Sequence, residues 1–324
     1  MSSLNTSTSG KIGLALGSGA ARGWAHIGAI KQLQAMGIHP DIVTGCSIGA
    51  IVGAAYVVDN LDKLEKAVLG LNKLEMMKYF EFNLSLNGFV RQEKLRQFFH
   101  DHVCARQQSM EGLKKPLATV ATDLYTGREI WFTQGPVMEA VWASIALPGL
   151  FPPVRHEERW LVDGGLVNPV PVSLCRALGA ETVIAINLNN RRRKPIQQPV
   201  PETAAPVPVV HDEKPVEADI PAERNLVSNV TASLLEYSST LFQTAKNDSA
   251  APSLLDAMTG SINIMQDKIT RSRMAGDPPE ILLNARVGDI GLMEFYRAAE
   301  AIEEGRQCVL RMQAEIEHIM TSHP

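Results

Sequence analysis

The sequence predicts an α/β protein with a mostly parallel central sheet covered by helices, and three observations predict it. Residues 11–16 form a short apolar run ending at Gly17 and Gly19, and apolar residues recur at helical spacing over 22–36. Residues 41–44 repeat the pattern, run into Gly45 and Gly49, and give way to a helix of small residues over 48–58. Successive strand–turn–helix units lay their strands parallel and their helices on the sheet faces. The third observation is the β-branched run at 182–188, behind a short helix at 172–178, which reads as one more buried strand.

The remaining elements follow the same periodicities. Residues 61–71 and 92–102 read as amphipathic helices, with an irregular stretch at 83–91 where a lid or substrate channel would fit. Strands are expected at 116–122 and 128–133, then a helix over 137–147 that stops at Pro148-Gly149. Leu161-Val162 is a short strand leading into Asp163-Gly164-Gly165. Residues 191–224 turn to Pro, Glu, Lys and Gln, as expected of an extended or disordered insertion. The run Arg191-Arg192-Arg193-Lys194 at its start reads as solvated, with contact to anionic lipid as the alternative. Beyond it come helices at 225–246 and 253–274, a strand at 281–287 and one long amphipathic helix over 293–320. The expected organisation is a disordered tail at 1–10, a catalytic domain at 11–190, the flexible insertion at 191–224, and a mainly helical extension at 225–324 packed on the catalytic domain.

Length and composition narrow the function. With 324 residues the chain can bury one core, or one core and a small appendage, since single cores stop growing near ~250–300 residues. Charged residues make up 20% and apolar residues 45%, so disorder is not its general state. A formal charge of -4 argues against nucleic acid, which calls for a basic excess on one face. Cys46, Cys104, Cys175 and Cys308 are scattered, with neither a C-x-x-C pair nor clustered His, and read as reduced thiols of a cytoplasmic protein rather than disulfides or metal ligands. The first ten residues lack the basic start and apolar middle of a signal peptide. The longest apolar run, 48–58, falls short of the ~20 residues that cross a bilayer, so any membrane contact is expected to be peripheral.

Gly45-Cys46-Ser47-Ile48-Gly49 is a G-x-S-x-G string set between a buried strand and a helix, the setting of a nucleophile elbow. The tight turn would hold Ser47 in a strained conformation at a helix N-terminus, where developing negative charge is favoured. The competing reading is a serine N-cap after a glycine turn. A serine nucleophile needs a base, yet no histidine occupies a strand end. His26 reads as packed or capping, His156 as exposed in a charged loop beside Glu157 and Glu158, and the others as surface or tail residues. Asp163 does end a buried strand, although Asp-Gly-Gly is equally an ordinary turn. With a reference pKa of ~3.9 it would need either burial to raise its proton affinity or a concerted proton transfer to serve as a base.

Gly17-Ser18-Gly19-Ala20-Ala21-Arg22-Gly23 admits phosphate or oxyanion binding. Dinucleotide spacing fails because Arg22 stands where the third glycine belongs, and a P-loop fails for want of Gly-Lys-Ser/Thr. As an oxyanion hole the loop works through consecutive amides near Gly19 and Ala20, with Arg22 orienting it or adding charge.

These blocks, with Ala143-Ser144-Ile145-Ala146-Leu147-Pro148-Gly149-Leu150-Phe151-Pro152, resemble the patatin-like phospholipases, especially compact bacterial members related to the neuropathy-target-esterase branch. The resemblance runs from about residue 11 to 190. It implies a three-layer α/β/α fold and a Ser–Asp dyad without histidine: Ser47 as nucleophile, Asp163 as base, and oxyanion donors at Gly19, Ala20 and their neighbours. The implied activity is hydrolysis of fatty-acyl esters of phospholipids or lysophospholipids, with no cofactor or metal. Ser144 is carried as backbone support. The alternative is a regulatory or scaffold protein of the same fold with little turnover. Apolar residues at 84–89 and 147–151 are candidates to line an acyl site.

Overall fold

The computed structural model describes residues 10–79, 92–189 and 254–322. The expectations for the tail, for 83–91, for the insertion with its cationic run, and for a helix at 225–246 lie outside these residues. Two compact units are distinguished, Met1–Arg191 with Met258–Pro324, and Arg192–Ala257. The architecture below is that of the first.

The sheet forms from β1 (Ile12–Leu16), β2 (Ile42–Cys46), β3 (Leu117–Asp123), β4 (Glu129–Phe132), β5 (Val154–His156), β6 (Arg159–Asp163), β7 (Thr182–Asn187) and β8 (Ile281–Asn284). Its order is β5-β6-β3-β2-β1-β7-β8, with β4 on β3. The pairs β1–β2, β1–β7, β2–β3 and β7–β8 are parallel, whereas β4, β5 and β6 join antiparallel. β5 is too short to leave a pattern in the sequence and exists through its pairing with β6.

The central strands are apolar on both faces, as a sheet covered on both sides requires. Leu14, Leu16, Ile184 and Ile186 point into one core, with α1 (Ala25–Ala35), α2 (Ile48–Val57), α3 (Leu61–Leu69) and α6 (Val137–Ser144) packed over it. Ala15, Val183 and Ala185 point the other way, against α7 (Val172–Ala177). The result is the three-layer α/β/α arrangement. α4 (Lys73–Tyr79), which the sequence pattern did not mark, and α5 (Gln92–His102) lie on the first side. A 3-10 turn, Ala20–Trp24, takes the place of the first helical residues expected from position 22.

After the second described gap come α8 (Leu254–Gly276), β8, a 3-10 turn at Phe295–Arg297, α9 (Ala298–Arg311) and α10 (Gln313–Ser322). The single helix expected over 293–320 is therefore three pieces. Glu294 ties down the start, accepting from Gly291 N–H, Tyr296 Oη and Arg297. The second break falls at Met312, where the backbone leaves helical values (φ -108, ψ 9). Buried Ala301, Cys308 and Ile316 keep one apolar phase across it, so spacing alone does not register the step. α9 lies directly on α1: a Cβ at Gly28 would come 1.8 Å from Ile302 O, and one at Gly305 1.8 Å from Ala25 O.

Candidate active site

Strand register brings the three sequence motifs to one level. Leu16 of β1 is opposite Gly45 of β2, and Cys46 of β2 is opposite Val120 of β3. The next β3 residue, Ala121, is opposite Asp163 of β6. The loop after β1, the turn after β2 and the end of β6 therefore meet at the carboxyl edge of the parallel strands, where open α/β sheets place their sites.

Ser47 has φ 55 and ψ -122, a left-handed setting that few non-glycine residues adopt. The turn holds it there through close contact: a Cβ at Gly49 would lie 2.2 Å from Leu16 O, while Gly45 packs on the Gly49 carbonyl. Ser144 Oγ accepts the Ser47 N–H at 2.8 Å, the backbone support expected of it. The side chain of Ser47 does not cap α2. Its hydroxyl donates instead to Asp163 Oδ2 at 2.5 Å, which removes the interaction on which the N-cap reading depends.

Asp163 is 1% exposed. Its other oxygen, Oδ1, accepts Gly165 N–H at 2.7 Å, and Gly164 lies against the Val120 carbonyl. Thr122 Oγ1 donates to its carbonyl, and its own N–H goes to Ala146 O. Burial pushes the carboxyl pKa up to about 6, against the lowering pull of the Ser47 and Gly165 hydrogen bonds. The intrinsic weakness of aspartate as a base is reduced accordingly.

In the Gly/Arg loop, Gly17 N–H is bonded to Ile186 O, Ser18 to Pro169 O, Ala21 to Leu292 O and Arg22 to Gly19 O. The Gly19 and Ala20 amides have no hydrogen-bond partner among the described residues. Ala20 is at φ 48, and it shares with Ser47 the wall of one pocket. Gly23 packs on Ile48 of α2. Arg22 is buried and directed away from the pocket: Nε donates to Ile290 O at 2.8 Å and Nη1 to Asn263 Oδ1 at 3.4 Å.

Among the described residues the histidines stand apart. His26 Nε2 lies 2.7 Å from Gly17 O, and burial lowers its pKa to about 4, so the neutral ring donates to that carbonyl. His156 is on β5, not in an exposed loop; pairing with β6 half-buries it, and Nδ1 meets Glu139 Oε1 at 2.9 Å. Neither Ser47 nor Asp163 bonds to a histidine among the described residues.

The pocket in front of Ser47 encloses about 750 Å³ including its mouth. Apart from Ser47 its walls are apolar: Ile48 and Ile51 of α2, Leu95, Phe98 and Phe99 of α5, and Leu147, Leu150 and Phe151, with Trp24 and Phe295. Of the two stretches expected to line an acyl site, 147–151 lines this pocket and 84–89 lies outside the described residues. Met76 of α4 and Phe295 were not foreseen, because pocket lining and core packing present the same apolar pattern. Asn189, Asn263 and Gln266 were missed as well. They are buried polar residues beside the loop, on elements whose sequence carries no motif.

The profile of the family described as "Patatin-like phospholipase" matches residues 14–176, half of the chain. An uncharacterised NTE family protein of Mycobacterium tuberculosis is 30% identical over 328 residues, covering 93% of this chain and 90% of its own. The chain belongs to the patatin-like phospholipase family. Within it the relation is to the NTE branch: neuropathy target esterase of Drosophila melanogaster is 32% identical over 191 residues, 57% of this chain and 13% of that protein. The crystal structure of VipD from Legionella pneumophila aligns with 97% of this chain and 67% of its own at a TM-score of 0.46 and 14% identity. At family level the patatin-like fold is that of lipid acyl hydrolases. No helix among the described residues is long and apolar enough to cross a membrane.

Proposed function

We propose that the chain hydrolyses fatty-acyl esters of phospholipids or lysophospholipids by two-step acyl transfer, with Ser47 as nucleophile and Asp163 as its base. The observation that carries this reading is the 2.5 Å hydrogen bond from Ser47 Oγ to a buried carboxylate, at the wall of an apolar pocket. Ser47 Oγ attacks the ester carbonyl as its proton passes to Asp163 Oδ2. The oxyanion is received by the Gly19 and Ala20 amides, loop donors that have no other partner among the described residues. Asp163 returns the proton to the leaving alcohol, and the acyl group remains on Ser47. Water then gives a proton to Asp163 and attacks the acyl carbon, and the proton passes back to Ser47 Oγ as the fatty acid leaves. An ester with a long acyl chain suits the pocket, because each buried methylene contributes about 0.8 kcal/mol. Such lipids would be met at a membrane surface, by peripheral contact.

Fluorophosphonate labelling, with acyl-ester hydrolysis in parallel, tests the reading on wild type, Ser47→Ala and Asp163→Asn. Ser47→Ala should lose labelling and at least about 10³-fold in kcat, and Asp163→Asn about 10²–10⁴-fold. A Ser47→Ala protein that hydrolyses esters at the wild-type rate would sink the reading. A wild type that neither labels nor hydrolyses would leave the fold as a binding scaffold.

A further inference from the structure

We propose that Gln266 is a positioning residue: from α8 it fixes the Gly/Arg loop and the Asp163 turn in one mutual arrangement. The role presupposes the Ser47–Asp163 chemistry proposed above, and it comes from a segment beyond the 14–176 span that the family profile matches.

α8 is turned the opposite way from an ordinary amphipathic helix. Asn263, Gln266 and Thr270, which share one face at helical spacing, are buried, whereas Ile264 and Met265 are 52% and 48% exposed. Burying an amide costs about 1–3 kcal/mol unless its hydrogen bonds are replaced, and the two amides of this face, Asn263 and Gln266, do have such partners. Gln266 bonds to Ser18 of the Gly/Arg loop and to Asn189 after β7, and it meets the Asp163 turn by close packing. Gln266 Oε1 accepts from Ser18 Oγ at 3.1 Å and from Asn189 Nδ2 at 3.2 Å, and Asn189 Nδ2 also lies 3.2 Å from Ser18 Oγ. On its other side the amide nitrogen fills the space beside Gly165: a Cβ at 165 would meet Gln266 Nε2 at 2.4 Å and Asp163 Oδ1 at 3.0 Å.

One side chain therefore touches the residue preceding the Gly19 amide and the residue whose N–H holds Asp163 Oδ1. Two further contacts brace the helix on either side, Asn263 with Arg22 of the loop and Arg273 with Val167 O just past the Asp163 turn. A donor and a base carried on separate loops gain most from such a tie, because a displacement of ~1 Å costs on the order of 10²-fold in rate.

Gln266→Met tests this, since it keeps the length and packing of the side chain and deletes its hydrogen bonds. The expected result is a kcat and a fluorophosphonate labelling rate lower by about 10–100-fold, with KM within about two-fold of wild type. Ser18→Ala cuts the same bond from the other end in a smaller residue, and carries the test should Gln266→Met fold poorly. Its kcat should also fall, and the double variant should be no slower than the slower single, because both act through one contact. A Gln266→Met kcat equal to wild type would overturn the proposal, as would losses that multiply in the double variant. Labelling that persists in Ser47→Ala would instead remove the chemistry on which the role rests, a result distinct from slow labelling of Gln266→Met.

Discussion

At the scale of single residues, the pair that matters most for pH is Asp163 and His26, each fully buried and each shifted by that burial. The folded-state pKa of Asp163 is raised to about 6 from an ordinary value of 3.8. Its contribution to stability is thus fully present below about pH 4 and is lost as pH rises through 6, a loss on the order of 3 kcal/mol. His26 works in the opposite sense. Its folded pKa is lowered to about 4, so the stability it contributes is present above its ordinary 6.5 and lost as pH falls through 4. Comparing Asp163→Asn with wild type cancels the histidine. Thermal melts should show the variant more stable than wild type at pH 8 and equal to it at pH 4; equal melting points at both would mean that the carboxylate is not held charged in a dry site. With Asp163 as the proposed base, the same ionisation would govern turnover, because only the charged carboxylate accepts a proton. Below pH 6, kcat/KM should fall about ten-fold per unit. The turns that carry Ser47 and Asp163 were both legible in the sequence, because turn chemistry at strand ends leaves a string that can be read. Gln266 was not legible, since an amide that acts across 248 residues of chain leaves no local signal.

At the scale of elements, the strands and helices with a full period of apolar residues were readable to within a few positions, β1, β2, α2 and β7 among them. What escaped was set by tertiary partners. β5 is three residues held by β6, the 3-10 turn before α1 is shaped by the Gly/Arg loop, and the break at Met312 preserves the apolar phase on both sides. The inverted face of α8 was hidden for the same reason: the pattern shows a helix but not which side is buried. The contact of α9 with α1 was equally silent, since it depends on two glycines 277 positions apart, each lying against the backbone of the other helix. Gly305→Ala should destabilise the protein by about 1–3 kcal/mol or more, because its Cβ would fall 1.8 Å from Ala25 O and neither helix backbone can yield cheaply. Urea unfolding of the variant checks this, and an unchanged midpoint would show that the helices sit further apart. Ester hydrolysis by the folded fraction should be little affected, as neither glycine touches the pocket.

At the scale of the whole molecule, the sheet register explains why motifs at residues 17–23, 45–49 and 163–165 meet in one place, and helices from distant parts of the chain explain the pocket in front of it. Fold class was readable because it follows from the order of strand–turn–helix units. The pocket was only partly readable, because its walls come from α2, α5, the residues after α6 and Phe295, which no sequence window brings together. Its apolar walls carry a consequence for substrate choice. If the acyl chain lies there, kcat/KM should rise with chain length, each methylene contributing about 0.8 kcal/mol until the pocket is filled. Leu95 is half-buried on the α5 wall, so Leu95→Trp fills pocket volume with little disturbance to the core. A laurate ester should then lose about ten-fold in kcat/KM while a butyrate ester stays within about two-fold of wild type. Measuring both esters on both proteins separates the cases: equal losses would indicate damage near Ser47, and no loss with either would mean that the acyl chain lies outside this pocket.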